Sequence, residues 1–263
     1  MGFLSEVVER VRRELRDRPP PDRELLARVR EGSPSRDFAG SLAGPDVSLI
    51  AEIKRSSPSA GAIARADPGE QAERYERGGA AAVSVLTEPR HFGGSGEDLR
   101  AARGRTALPI LRKDFVVDRA QVIEARAWGA DAVLLIAEAL SDQELSDLLK
   151  CAEEFGMAAL VEASGGEGVQ RAVATGSRLV GVNARDLETL HVDFTRALSL
   201  AQEVPPDRIL VVESGISSRD QVMRAGEAGA RAVLVGEALM RSGDPEGAIR
   251  DLLGLTHTPG PGP

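Results

Sequence analysis

Cysteine, histidine, lysine and aromatic residues are all scarce in this chain of 263 residues, and each scarcity excludes something. With one cysteine, Cys151, no internal disulfide can form. The three histidines, His91, His191 and His257, are scattered without zinc-ligand spacing, so no metal centre is expected. Aromatic residues make up 3% of the chain and the formal net charge is −8. With no lysine-rich or basic-aromatic run either, a nucleic-acid surface is not expected. Long apolar runs are missing too: no window approaches the roughly 18 residues of a membrane span, and the first residues lack the apolar core of a secretion signal. A cytoplasmic location is the expectation. The lysine count is the most telling absence, because only Lys54, Lys113 and Lys150 are lysine, against thirty arginines. Arginine does not release its proton near neutral pH, whereas a partly desolvated lysine can serve as a general acid or base. Lys54 and Lys113 each end an apolar run, so a chemical role and an ordinary strand-end position are both open.

What the chain does have is 42% hydrophobic residues, enough to bury a barrel-sized core, and a repeat. The segments beginning at Gly79, Gly129 and Gly229 each place a glycine, fit to end a helix, before a continuous apolar strand. They lie fifty and one hundred residues apart, multiples of a unit of one strand and one helix. The strands expected between them are found at Ile110–Arg112, Ala158–Glu162, Leu179–Asn183 and Ile209–Glu213, and Ser48–Lys54 makes eight. Helical patterns intervene at Gln71–Arg77, Arg119–Trp128, Asp142–Phe155, Gly168–Ala174, Phe194–Gln202 and Arg219–Ala228. Eight strands that read as apolar on both faces, alternating with helices, predict an α/β fold, a parallel (β/α)8 TIM barrel. Residues 1–46 form the expected N-terminal helical extension packed on the barrel, 47–255 the barrel, and the Pro/Gly-rich 256–263 a disordered tail.

In such a barrel, polar residues at the carboxyl ends of the strands converge on one mouth. Here they are Glu52 and Lys54, Thr87 and Glu88, Lys113 and Asp114, Glu138, Glu162, Asn183 and Arg185, Glu213 and Ser214, and Glu237. Any one of them could be a salt bridge or a helix cap, but together they exceed what a merely packed core needs. Gly215 and Gly236 follow apolar strands directly, where backbone N–H groups can hold a phosphate or simply make a tight turn. Cys151, Tyr75 and Trp128 read as packing residues, His91 as a loop residue, and 93–96 as a flexible loop.

Taken with their order along the chain, Ile50–Ser59, Leu86-Thr87-Glu88 with Phe92, Pro109–Phe115, Gly181–Leu187 and Val212–Ile216 resemble the signature strands of the indole-3-glycerol phosphate synthase family. The resemblance runs from about Ser48 to Met240. It implies closure of 1-(2-carboxyphenylamino)-1-deoxyribulose 5-phosphate to indole-3-glycerol phosphate, with loss of carbon dioxide and water and without metal or organic cofactor. By the same resemblance Lys113 is the general acid, Lys54 the partner of the substrate carboxylate, and Glu162 the acid/base for loss of water. Glu52 orients Lys113 or steadies charge on the anilino nitrogen, and Asn183 binds a sugar hydroxyl. Arg185, Ser57 and Glu213 complete the polar wall, while Phe92, Phe115, Leu134 and Leu187 form the apolar surface for the ring. Ser214, Gly215, Gly236 and Glu237 offer backbone groups to the phosphate, with the Glu237 side chain turned away. The expected partner is the small phosphorylated substrate, bound by a monomer that could associate with other enzymes of tryptophan biosynthesis.

The chain departs from the family after the fifth strand, where Glu162 is followed by Ala163-Ser164-Gly165; Ser164 and Glu167 are expected to form a capping box there. A phosphoribosylanthranilate isomerase would also explain a phosphate site, but it would leave Lys54 and Lys113 unexplained. A non-catalytic phospho-ligand-binding barrel is the third reading.

Overall fold

The computed structural model describes residues 2–255 apart from 20, 22, 60 and 65, so the tail expected at 256–263 lies outside the described residues. Among them, eight parallel strands close into a barrel: β1 (Ser48–Ile53), β2 (Ala82–Leu86), β3 (Ile110–Lys113), β4 (Ala132–Ile136), β5 (Ala158–Ala163), β6 (Leu179–Asn183), β7 (Ile209–Glu213) and β8 (Ala232–Val235). Sequential neighbours pair, as with Ile50 and Ala82, and the ring shuts where Ser48 of β1 pairs with Ala232 of β8.

Strand alternation sorts the core into two layers. Leu49, Ala51, Ile53, Val83, Val85, Val133 and Leu135 point outward into the layer under the helices. Ile50, Ala82, Leu111, Leu134, Leu160, Val211 and Leu234 fill the barrel itself. Both layers are apolar, which is why the strands show no alternation in sequence.

The helices are α1 (Phe3–Arg16), α2 (Arg23–Glu31), α3 (Phe38–Ser41), α4 (Pro68–Gly78), α5 (Pro89–Phe92), α6 (Gly96–Arg103), α7 (Arg119–Trp128), α8 (Asp142–Glu154), α9 (Gly166–Ala174), α10 (Phe194–Ala201), α11 (Arg219–Glu227), α12 (Glu237–Arg241) and α13 (Pro245–Leu253). The recurring glycine of the repeat has a mechanical reason. Gly79, Gly129 and Gly229 all sit near φ +98°, the left-handed turn with which a helix hands over to the next strand.

The N-terminal segment reaches both ends of the barrel. Leu4, Val7 and Val11 of α1 and Phe38 and Leu42 around α3 all join the interior apolar layer. Arg36 ties the α3 end to the loop before β3 by donating to the carbonyls of Thr106 and Leu108 at 2.8 and 2.6 Å, and its own N–H donates to Asp131. At the opposite end, α1 lies along the mouth. Arg10 pairs with Glu88 at 2.7 Å, and the N–H groups of Phe3 and Leu4 donate to the carbonyls of Glu188 and Leu187.

The stretch 93–96 joins two helices: Gly93 closes α5 with φ +66°, and Ser95 caps α6 by accepting from the Asp98 N–H. One local expectation is corrected. The predicted capping box at Ser164 and Glu167 does not form, because α9 starts one residue later, with Gly165 in the cap position and no side-chain bond of its own. The helices α5, α6, α12 and α13 and the two-residue strands Ser56–Ser57 and Gly61–Ala62 also went unread, being short or lacking an apolar stripe wide enough to stand out.

Candidate active site

A cavity of 440 Å³ opens at the carboxyl ends of the strands, and it is lined by all sixteen residues to which the family resemblance gave a role. One wall is ionic. Lys113, the last residue of β3, donates to Glu162 Oε2 of β5 at 2.8 Å and lies 3.2 Å from Glu213 Oε2 of β7. Both carboxylates are 1% exposed in their side chains, so these charges meet in a medium that screens them poorly. The Asn183 amide donates to the other Glu162 oxygen at 3.0 Å, while its own oxygen accepts the Arg185 N–H. Glu213 finds its partners within the cluster, in Lys113 and Glu162.

The protonation pattern follows from this crowding. Burial works against charge on Lys113, but Glu162, Glu213 and Glu52 together outweigh it and hold the ammonium above its ordinary range. Burial also penalises Glu162, yet Lys113 and Asn183 bring it below the ordinary carboxylate value. Glu213 goes the other way, pushed well up by burial and by the charge on Glu162. The cluster therefore favours charge on Lys113 and on Glu162 and disfavours it on Glu213.

Glu52 sits apart from this cluster and is paired instead with Lys54 at 2.9 Å, so it acts on Lys113 through its field and not by contact. That corrects the expectation that Glu52 orients Lys113: the strand stagger puts Glu162 and Glu213 within reach of it. The backbone carbonyl of Glu52 accepts from the buried Tyr75 hydroxyl at 3.0 Å, and a methyl group on Gly236 would run into the Glu52 carboxylate.

Much of the remaining lining is apolar. Phe92, Phe115, Leu134 and Leu187 contribute to it, and Phe3 of α1 joins them, its ring edge-on to Phe115 at 6.2 Å and to His91 at 5.0 Å. Phe3 was missed because its place in a helical apolar stripe reads as packing; nothing local shows that α1 crosses the mouth. At the far end, Ser214 and Gly215 both take positive φ, 68° and 72°, turning the chain sharply after β7. Facing that turn, Gly236 and Glu237 open α12, and the Glu237 carboxylate runs along the helix to Arg241 at 3.0 Å. Arg185 spans the rim from Ser59 to the Leu190 carbonyl.

Two strand-end residues do not line the cavity. Thr87 belongs to a network outside the barrel, and Glu138 lies behind the β5 end. Among the described residues there is no group of three or more His, Cys, Asp or Glu placed to hold a metal ion, and no helix is long and apolar enough to cross a membrane.

Known proteins share both sequence and fold with this chain. A family model described as indole-3-glycerol phosphate synthase matches residues 4–252. A protein of that name from Nocardioides sp. is 50% identical over 97% of this chain and 99% of its own. Proteins of that name from Micrococcus luteus and Streptomyces coelicolor are 48% and 44% identical over 95% and 98% of this chain, and over 96% and 97% of their own. Among solved structures, a 3-hexulose-6-phosphate synthase superposes with a TM-score of 0.64 at 16% identity, covering 80% of this chain and all of its own. A mutant tryptophan synthase α-subunit from Pyrococcus furiosus does so with 0.59 at 18%, over 80% and 98%. At that identity the structural likeness speaks for the barrel alone.

Proposed function

The chain belongs to the indole-3-glycerol phosphate synthase family, and on that premise we propose how its side chains divide the work. The protein is a decarboxylating lyase of tryptophan biosynthesis, closing 1-(2-carboxyphenylamino)-1-deoxyribulose 5-phosphate to indole-3-glycerol phosphate. The observation that carries the assignment of roles is Lys113, an ammonium held between two buried carboxylates at the edge of an aromatic-lined cavity.

The substrate presents an aromatic ring, a carboxylate, a ketone and a phosphate. The ring lies against Phe92, Phe115, Leu134 and Leu187, with Phe3 covering it. Lys54 takes the carboxylate, and the turn at Ser214 and Gly215 with Gly236 and Glu237 takes the phosphate on its backbone N–H groups. Carbon–carbon bond formation turns the ketone oxygen into an alkoxide. An ammonium kept charged by its neighbours stabilises that oxygen as charge develops, and gives up a proton only to a base as strong as the alkoxide. Lys113 is this general acid. Carbon dioxide then leaves from the ring carbon and restores aromaticity. In the final step the new hydroxyl departs as water and a proton is lost from the adjacent methylene; Glu162, ionised and 2.8 Å from Lys113, is the acid/base there. Asn183 binds a sugar hydroxyl while holding Glu162, and Glu213 supplies the third carboxyl of the cluster, with Glu52, Ser57 and Arg185 completing the polar wall.

No step calls for a metal or organic cofactor, since Lys113 supplies the positive charge. We read 1–46 as an extension packed on a catalytic barrel at 47–255, and the protein as a cytoplasmic monomer. The test is to follow the fluorescence of indole-3-glycerol phosphate after mixing the purified chain with its substrate in chelator-treated buffer. Product should form at a rate that added metal does not change; a dependence on metal would overturn the cofactor-free reading, and binding without product would overturn the catalytic roles.

A further inference from the structure

We propose that Glu138, which touches no part of the cavity, is a positioning residue that holds the catalytic end of β5 by capping α9 from outside the helix. The inference rests on reading Glu162 as the acid/base.

The start of α9 lacks a cap of its own. Gly165 occupies the position where a serine or aspartate side chain would ordinarily accept the first free N–H groups. Glu138, in the single turn Ala137–Ala139 after β4, supplies an acceptor to the two residues that lead into the helix. Its Oε1 takes the N–H of Ser164 at 2.7 Å, the N–H of Gly165 at 3.1 Å and the Ser164 hydroxyl at 3.3 Å. A carboxylate is well suited to that place, where the helix presents unsatisfied N–H groups and the positive end of its dipole. The sequence of α9 makes room for it, because a methyl group on Gly168 would collide with Glu138 Oε1.

The clamp is reciprocal. Arg171, one turn further along α9, reaches back to the same turn and donates to the carbonyls of Ala137 and Leu140 at 2.7 and 2.5 Å, while its Nε pairs with Asp142 at 2.7 Å. Arg12 of α1 reaches the Ala139 carbonyl at 3.2 Å. What these contacts pin is the segment immediately after Glu162, and the last β4 residue before the turn, Ile136, pairs in register with Glu162 itself. The two strand ends are thus locked side by side just beyond the point where Glu162 meets Lys113. The segment Ala163-Ser164-Gly165 carries neither catalytic side chain nor internal cap, and Glu138 accounts for how it is held.

The experiment compares E138A, E138Q and G168A with the unaltered enzyme, reading kcat and KM separately on protein whose folded fraction is measured in parallel. E138A should lower kcat about tenfold, the scale of a small misplacement of a catalytic group, with KM within about twofold because ring, carboxylate and phosphate contacts lie elsewhere. E138Q keeps an acceptor oxygen and should recover most of the rate. G168A displaces the Glu138 side chain while leaving it in the sequence, and should reproduce the E138A loss even if E138A itself does not fold. Unchanged kcat in E138A or G168A, or E138Q as impaired as E138A, would overturn the proposal. An E162Q control separates the two levels: full turnover in E162Q would remove the acid/base reading, whereas a dead E162Q beside an unaffected E138A would remove only the capping role.

Discussion

Arg112 and Lys113 are neighbours in the chain and opposites in environment. Strand alternation sends Lys113 into the barrel and Arg112 out beneath the helices. Arg112 is 3% exposed and each of its nitrogens has a partner: its Nε donates to Thr87 at 3.1 Å, its two terminal nitrogens to the Gln121 carbonyl at 2.6 Å and to Asp114 at 2.9 Å, and its guanidinium lies over Trp128 at 4.3 Å. Asp114 is satisfied in turn by the Thr87 hydroxyl and the Phe115 N–H. Inside the barrel, Lys113 lies 2.8 and 3.2 Å from Glu162 and Glu213, two buried carboxyl groups crowded onto one ammonium. A buried charge whose donors are all matched is structural, because any movement would strand it. A buried charge crowded by two carboxyl groups at a cavity wall is open to a further partner, and that difference separates the two residues across one peptide bond.

Substitutions at the two positions should break the comparison in different currencies. K113M should lower kcat by about 10²–10⁴-fold, the usual worth of a general acid, while substrate still binds in a fluorescence titration. Near-normal turnover would show the inner cluster to be as structural as the outer one. R112M should act mainly on folding, costing about 3–5 kcal/mol in a denaturant titration because Asp114 is left as an uncompensated buried charge. Smaller effects sharpen the contrast. G181A would place a methyl 2.6 Å from Glu213 Oε1; overpacking of this kind costs about 1–3 kcal/mol, and kcat should fall with it as Glu213 is pushed off Lys113. The pH profile should show the least change near neutrality. Because Glu162 lies below the ordinary carboxylate range and Lys113 above the ordinary ammonium range, both keep their working forms across neutral pH. The acid limb from Glu162 should appear only as pH falls through its lowered value, and the alkaline limb from Lys113 only beyond the ordinary lysine range; Glu213, raised well above the carboxylate range, accounts for any limb between them, which E213Q should remove.

Legibility differed by kind of feature. The repeat glycines announced the barrel because a left-handed residue is needed at the same point of each unit, and the ranges read for β6, β7 and α7 coincide with those observed. The list of strand-end polar residues was legible for the same reason, since position at a strand end is a local property. Who touches whom was not. Glu52 read as the natural partner of Lys113 and is bound to Lys54 instead, while the cap at Ser164 came from a residue 26 positions earlier in the chain.

By itself, then, the sequence determined the eight barrel strands, most of the helices between them, and most of the side chains that arrive at the mouth. These depend on apolar periodicity, turn chemistry and strand alternation, all settled within a few residues. Only the tertiary structure decided that Lys113 sits between Glu162 and Glu213, that Phe3 joins the cavity lining, and that Glu138 accepts from the chain entering α9. Those contacts depend on the stagger of eight closed strands and on where α1 comes to rest, and closure couples every strand to all the others.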